Sequence, residues 1–527
     1  MSTSIQDTKT YKVNRMHLYS TNLPGQSVSL VNLYQGLAIE ENIYKPYISG
    51  TLTIFDGNGY QEIFPIMGEE HLELDISTGD SNTVDPRRIK GFFRIYNVTA
   101  QAIKGTTKGK AYSLDFISED FFVNVRQKIN FSTIAKKQTL SLTVNHIYNT
   151  YIGGVENLYE SEELEQYKKE IEIEPTLRNY QIIFPNIQPF QAILMCAQRA
   201  ISKNLERKGA SFLFYEEFDK YHFESIEKLQ SEKEKFYLVY QPNTEDATTQ
   251  RLIQQRNVAE DIDILYLENF EIIRSFDVME NVQAGMYSSK LIAHDFERMQ
   301  YEEYDFEYVP RLEYKAKTIK KDGQQVRVVT KNSAGDEKAI IDKSRAISIG
   351  KLATQYNDNL NNPNQNLNFI STTLNHDIVF DNNQSEPGGY KQKGIEPKDV
   401  EKYFLQRNSQ IQQFDNVRVK INLRDSNTDI KVGDVVKFNL PSEVGGGSVP
   451  EVHFYYSGNY IVQRVKHTMS GSSGLMTELI ICKNGLEHNM PVFDERTLDI
   501  LNQLNQPLDA GTNRGSNNPE DYVEDGR

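Results

Sequence analysis

Apolar and polar residues alternate with period two along much of this chain, and that period predicts strands with one buried face. The clearest stretch is Gly458 to Cys482, GNYIVQRVKHTMSGSSGLMTELIIC. Tyr460 and Val462 mark one face of a first strand, Gly471-Ser472-Ser473-Gly474 supplies a turn, and Leu479 and Ile481 mark the return strand. The same design stands near the other end, from Gly91 to Ile117, GFFRIYNVTAQAIKGTTKGKAYSLDFI. Counted from each opening glycine, Phe93 matches Tyr460, Ile95 matches Val462 and Val98 matches Val465 without a gap. Gly105 and Gly109 then correspond to Gly471 and Gly474, and Leu114 to Leu479, with a slip of one or two residues. Hairpins in general share such alternation, so chance is the competing explanation. The reading adopted is one β-hairpin used twice, in two related β domains.

The rest of the chain divides around these hairpins. Residues 1–12 are polar and read as an arm. Residues 13–118 read as a first β-barrel: Leu52 with Ile54, and Leu72, Leu74 with Ile76, alternate cleanly, and Asp56-Gly57-Asn58-Gly59 is a turn. Residues 119–230 read as a mixed α/β middle domain. Ser141 is placed to cap a helix carrying Val144, Ile147, Tyr148 and Tyr151. Pro189 starts a second helix, with Phe190, Ile193, Leu194, Ala197 and Ile201 as its apolar stripe. A hairpin around Phe218-Asp219-Lys220 follows. Residues 231–300 and 412–487 together read as a second, discontinuous barrel. Its expected strands include Phe236–Tyr240, Met286–His294 and the alternating Val417, Val419, Ile421 and Leu423, with a short helix over Asp277–Ala284. Residues 301–411 form a long insertion with Asn-rich loops, an Asp322-Gly323 turn, and a helix after Pro397 carrying Val400, Phe404 and Ile411. Residues 488–527 form a polar tail, expected to be disordered. The fold class is therefore α+β and mostly β.

Composition narrows the picture. A chain of 527 residues has room for three or four domains at about 150 residues each. Tyr 30 and Phe 26 without one Trp favour strands. A net charge of −15 argues against a general nucleic-acid-binding surface, which needs a basic field. It suits a surface past which nucleic acid slides without sticking. The two cysteines, Cys196 and Cys482, are too few for a disulfide scaffold and are expected reduced and buried. No run of 18 apolar residues and no signal peptide is present, so folding in a cytosol is expected.

No catalytic motif stands out. His294-Asp295 is half of an acid–base pair at best, and a His beside an Asp on a strand is ordinary. His467 reads as a structural or exposed histidine within the repeated hairpin. Asp261, Asp263 and Glu268 could face a divalent cation, but they lack a Gly-containing calcium loop and read better as a solvated acidic strand. Gly57-Asn58-Gly59 and Gly445-Gly446-Gly447 lack the strand–helix context of a phosphate loop. The expectation is a protein that is not an enzyme, with no catalytic, metal or cofactor site.

Four segments in order then resemble a family. IEENIYKPYISGTLTIFDGNG with PIMGEEHLELDIS, PNIQPFQAILMCAQRAISKNLERKGASFLFYE, NVQAGMYSSKLIAHD, and KVGDVVKFNLP with YYSGNYIVQRVKHTM are similar to the T-even-type myovirus baseplate hub proteins, over residues 28–486. The insertion is longer and more Asn-rich than that family's core needs. The resemblance implies two tube-like β-barrels per subunit and a homotrimer joining a threefold spike to a sixfold tail tube. It also implies partners: a central spike protein, tail-tube initiator or tube proteins, a tape measure protein and baseplate wedge proteins. DNA would be passing cargo, no membrane would be bound, and the place would be the virion, assembled in the bacterial host cytoplasm. Two alternatives stand beside it. Type VI secretion spike proteins share this hub fold but continue into an OB domain and a needle, and only some forty residues follow the last strand here. Some hubs carry cell-wall-degrading domains, and only the insertion offers room for one.

Overall fold

The computed structural model describes residues 11–20, 26–78, 88–101, 109–129, 138–153, 167–204 and 209–240. It also describes 263–307 and 404–483, with breaks at 276, 285, 287, 296–299, 406, 425–426, 441–452, 454 and 471–473, and four short strands between 329 and 380. The N-terminal alternation becomes seven strands: β1 (Tyr11–Tyr19), β2 (Ser27–Ser29), β3 (Tyr34–Asn42), β4 (Ser49–Asp56), β5 (His71–Thr78), β6 (Arg88–Gln101) and β7 (Lys110–Ser118). They pair in the order β2-β1-β5-β6-β7-β4-β3. The seam between β1 and β3 is crossed by residues 27–34, where the Leu30 amide donates to Met16 O at 2.8 Å and the Tyr11 and Tyr34 hydroxyls meet at 2.6 Å. Leu37, Ile39, Leu52, Ile54, Leu72, Leu74, Ile76, Phe93, Leu114 and Phe116 fill one core.

The middle region carries β8 (Gln138–Thr139), β9 (Glu170–Ile173), β10 (Asn179–Gln181), β11 (Phe212–Glu216) and β12 (Lys220–Ser225). β12 lies antiparallel to β11 and parallel to β9. The helices Leu140–Tyr151 and Pro189–Ala197 bury Val144, Ile147, Tyr148, Phe190 and Ile193 against Phe212, Phe214, Tyr221 and Phe223. Pro189 is the first helical residue, as expected. Thr139, not Ser141, caps the earlier helix by accepting from the Leu142 amide. Ser141 instead pairs with Thr176, its amide donating to Thr176 Oγ1 at 2.9 Å. Leu194 of the expected stripe is exposed, and Ile201 lies beyond the helix end in a separate small cluster.

The second barrel closes fully. β13 (Phe236–Tyr240) and β14 (Asp263–Arg274) pair parallel, and the later strands β21 (Val417–Leu423), β22 (Val435–Asn439), β23 (Gly458–Ser470) and β24 (Gly474–Lys483) complete the ring β23-β22-β13-β14-β21-β24-β23. Between them in sequence, β15 (Ser288–Asp295), β16 (Gln300–Glu307) and β19 (Ile370–Leu374) form a separate sheet. The strand expected over Met286–His294 therefore belongs to that sheet and not to the second barrel. β17 (Val329–Lys331) pairs with β18 (Glu337–Ala339), and β20 (Ile378–Phe380) pairs back to β10. The short helices are Val278–Gln283 and Arg407–Phe414. The Asp322-Gly323 turn, Val400 and the 488–527 tail lie outside the described residues.

The two hairpins agree to the residue. Val98 faces Leu114 in one and Val465 faces Leu479 in the other. Each first strand carries a bulge one step earlier, between Ile95 and Asn97 and between Val462 and Arg464. A bulge bends and twists its strand, so sharing one fixes the same curvature in both barrels. Phe93 and Tyr460 are buried in their respective cores; Val98 is only half-buried, whereas Val465 is fully buried. The outer strands correspond too, since β4 flanks β7 as β21 flanks β24, and β5 flanks β6 as β22 flanks β23. They differ where β1 runs antiparallel to β5 while β13 runs parallel to β22.

One glycine shows how tightly the first core is fitted. Gly50 lies opposite Phe116, and a Cβ there would stand 2.3 Å from the ring and 2.4 Å from Ala38 O. The Phe116 ring in turn packs on Phe93, with centroids 5.0 Å apart. Phe93→Ala is expected to cost about 3–5 kcal/mol through lost transfer energy and the cavity left. Gly50→Ala is expected to cost about 1–3 kcal/mol through overpacking. Urea denaturation measures both, and a Gly50→Ala chain as stable as the wild type would mean that the Phe116 ring is not seated there.

Candidate functional site

Three units meet at the tip of the β11–β12 hairpin. β11 and β12 are buried along nearly their whole length, β12 with Tyr221 and Phe223 on one face and His222 and Glu224 on the other, and the tip Glu216-Glu217-Phe218-Asp219 is left to point between the barrels. Phe218 inserts into the core of the first barrel, where it is buried with Met16, Leu37 and Leu475. Its amide donates to Glu41 Oε1 of β3 at 3.0 Å, and Glu41 is almost wholly buried. Glu216 Oε2 accepts from the Ile48 amide at 2.9 Å and from Ser118 Oγ at 2.6 Å, while Oε1 accepts from Lys169 Nζ at 2.6 Å. On the other side, Lys431 of the second barrel lies 2.5 Å from Asp219 and 3.3 Å from Glu217. One four-residue turn thus ties the middle domain to both barrels.

The barrels also join each other directly. β3 and β23 pair antiparallel from Asn42 opposite Arg464 to Gly36 opposite Ser470, which makes one 13-stranded sheet of the two units. Arg464 sits 2.5 Å from Glu478 and 3.8 Å from Glu40, and Lys420 sits 2.9 Å from Glu478. His467 is buried in this joint, opposite Ile39, with Nδ1 3.1 Å from Thr477 Oγ1. It is a structural histidine.

Burial works against ionisation of Glu217, but His222 and Lys431 outweigh it and hold the carboxyl below its ordinary value. Asp120 behaves in the opposite way. It is buried beside Glu216, and desolvation together with that neighbour's charge raises it to about 7, despite Lys169 nearby. Lys169 is already engaged by Glu216. Burial likewise lifts Glu227 to about 7.

Other candidate residues do not converge. His294 and Asp295 end β15 opposite Tyr301 and Gln300. Asp263 opens β14 and Glu268 is exposed on it, while Asp261 and Gly445–Gly447 lie outside the described residues. The amides of the Gly57-Asn58-Gly59 turn serve Asp56, whose carboxylate accepts from Asn58, Gly59 and Gln61. Cys196 and Cys482 are buried thiols, and burial pushes the Cys482 thiol far up. Sequence reasoning missed one cluster, Glu172, His222 and Glu224, whose ligand atoms lie within 4.8 Å of one another. Lys228 already pairs with Glu172 and Glu224, and Lys220 with Glu172. The alternation of Lys220, His222 and Glu224 along one strand was the available signal. No helix among the described residues is long and apolar enough to cross a membrane.

No family model matches the chain, and no curated protein matches it by sequence. Among solved structures, a tail protein from Neisseria meningitidis MC58 is similar over 90% of this chain and 97% of its own, at 12% identity and a TM-score of 0.45. A 43 kDa tail protein of prophage MuSo2 from Shewanella oneidensis is similar over 89% of this chain and 98% of its own, at 7% identity and a TM-score of 0.43. An E. coli component of the type VI secretion system, described as structurally similar to T4 bacteriophage tail proteins, is similar over 92% of this chain and 79% of its own. Its identity is 7% and its TM-score 0.35.

Asp120 supplies a pH test of this junction. A carboxyl raised to about 7 binds its proton more tightly folded than unfolded. Its contribution to stability is therefore full below the unfolded value and is lost as pH rises to about 7. Asp120→Asn, which carries no charge to bury, is expected to be more stable than the wild type at pH 8, on the order of 2 kcal/mol. The gap should narrow to less than half near pH 5 and close only below the unfolded value. Guanidinium denaturation at both pH values measures it, and a pH-independent gap would refute the assignment.

Proposed function

We propose that the chain is a structural tail protein of a contractile-tailed bacteriophage and serves as its baseplate hub. Three copies form a ring that adapts a threefold central spike to a sixfold tail tube, and DNA leaves through the channel. The observation that carries this reading is the repeated barrel. Two barrels share hairpin register, bulge and outer-strand order, and they are fused edge to edge within one chain. Three such chains present six similar domains while remaining threefold, which is the symmetry an adaptor between spike and tube requires.

The same reading gives the chain no chemistry of its own. Its work is to hold geometry, and its buried carboxylates join domains. The partners are the central spike, the tube initiator or tube proteins, the tape measure and the wedge proteins, within a virion assembled in the host cytoplasm. The net charge of −15 fits a channel wall that repels the duplex within a Debye length of about 8 Å.

Mass photometry and negative-stain microscopy test it. The expected particle is a ring of three 60.7 kDa chains with an axial hole. A monomer at micromolar concentration that does not shift on adding spike protein would reject the hub.

A further inference from the structure

The polar face of the β9–β12–β11 sheet holds a histidine that the surrounding protein does not satisfy. His222 lies in the middle of β12, opposite Glu172 of β9 on one side and Tyr215 of β11 on the other. Tyr221 and Phe223 enter the middle-domain core, so alternation turns His222 and Glu224 to the opposite face. The imidazole is 8% exposed and stacks on the Tyr215 ring, with centroids 4.9 Å apart. Neither ring nitrogen makes an aligned hydrogen bond among the described residues. Buried polar atoms are nearly always paired, so an imidazole held in this way points to a ligand.

Its surroundings are acidic. Nδ1 lies 3.5 Å from Glu224 Oε1, and Nε2 lies 3.1 Å from Glu217 Oε1. One ligand atom each from Glu172, His222 and Glu224 falls within 4.8 Å of the other two. A spacing of 3.5 Å is long for a charge-assisted hydrogen bond, which runs about 2.7–2.9 Å. It matches two donors on one ion. With bonds of about 2.0–2.1 Å and a tetrahedral angle, neighbouring ligand atoms stand about 3.4 Å apart. Glu217 adds the outer part of such a site, since the second nitrogen of a ligating histidine usually meets a carboxylate.

We propose that Glu172, His222 through Nδ1, and Glu224 bind a divalent transition-metal ion, zinc by their donor set, which clamps β9 to β12. One imidazole nitrogen with two carboxylate oxygens suits zinc, whereas magnesium and calcium take oxygen ligands. The Glu172 side chain is 43% exposed, which gives the ion a path in and leaves a fourth position for water. Lysines are the ion's competitors. Lys228 bridges Glu172 Oε1, at 3.0 Å, and Glu224 Oε2, while Lys220 holds Glu172 Oε2. The ion therefore displaces one lysine from Glu172. Glu224 Oε1, which faces the histidine, carries no lysine and accepts from the Tyr215 hydroxyl at 2.5 Å. The clamp lies on the hairpin whose tip joins the two barrels, and it is independent of the hub reading.

Zinc added to the full chain after chelator treatment tests the site. The expected result is one zinc retained per chain on equilibrium dialysis, with a melting temperature that rises with zinc and not with magnesium. Glu172→Gln, at an exposed position, should keep the fold and weaken zinc binding by more than about tenfold. Lys228→Gln, which removes a competing charge, should bind zinc more tightly than the wild type. X-ray absorption of the zinc-loaded chain should show only nitrogen and oxygen neighbours, at about 2.0–2.2 Å. Equal zinc on the wild type and on Glu172→Gln would mean an adventitious ion only. A sulfur neighbour at about 2.3 Å would place the ion on Cys196 or Cys482 instead. Either outcome, or a chain that retains no zinc, would overturn the proposal.

Discussion

The architecture hangs on carboxylates that are buried where three units meet. Glu41 and Glu216 each give an oxygen to a backbone amide of a different unit, Phe218 in one case and Ile48 in the other. A buried charge without partners is costly enough that such a group fixes its surroundings. Moving either amide away would take a buried hydrogen bond from its carboxylate. The hairpin tip therefore sets the angle between the middle domain and the first barrel with a precision that apolar packing alone does not provide, because packing is non-directional. Phe218 supplies the apolar half of the same contact, and Lys431 extends it to the second barrel.

The repeat gives the barrels a common shape and the tip gives them a fixed relation. A bulge at one position in both hairpins means that β6 and β23 turn through the same bend. The first barrel closes its seam with a loop and two tyrosine hydroxyls, whereas the second closes with a parallel ladder between β13 and β14. The difference follows from connectivity. β13 lies beside β14 and β22, and parallel neighbours need long crossovers, which residues 241–262 supply before β14 and the insertion supplies before β22.

Much of this was legible because it follows from period two. Leu52, Ile54, Val417, Val419, Ile421 and Leu423 are buried where alternation put them, and the hairpin equivalence needed only glycine positions. The exceptions share a cause. Glu73 and Asp75 alternate with Leu72, Leu74 and Ile76 as outward residues should, yet both are buried. Glu73 is covered by Tyr19 and Tyr167, whose hydroxyls donate to it at 2.7 and 2.6 Å. A second layer arriving from 94 residues away leaves no mark on local periodicity. β13 is buried at Phe236, Tyr237, Leu238 and Val239 for a related reason, being a central strand between two parallel partners. The site was the least legible part. Glu216 and Glu217 look like any acidic turn, and only tertiary contact distinguishes them. The placement of β15 outside the barrel was hidden likewise, since alternation predicts a strand but not its neighbour.

The joint between the barrels shows how little each polar contact has to contribute. The internal joint is lined by Arg464, Glu40, Glu478 and Lys420. Half-exposed ion pairs of this kind contribute little each, about 0–1 kcal/mol. That suffices where covalent connection already holds the strands at a high effective concentration. In β14 the ladders place Ile272 and Arg274 at the positions of Ile39 and Glu40, with Ile273 in the bulge between them. Opposite-sign charge at the internal joint also helps registry, since a slip would place Arg464 away from Glu40. Charge is needed at this joint only to fix its register, because the chain itself already holds the two strands together.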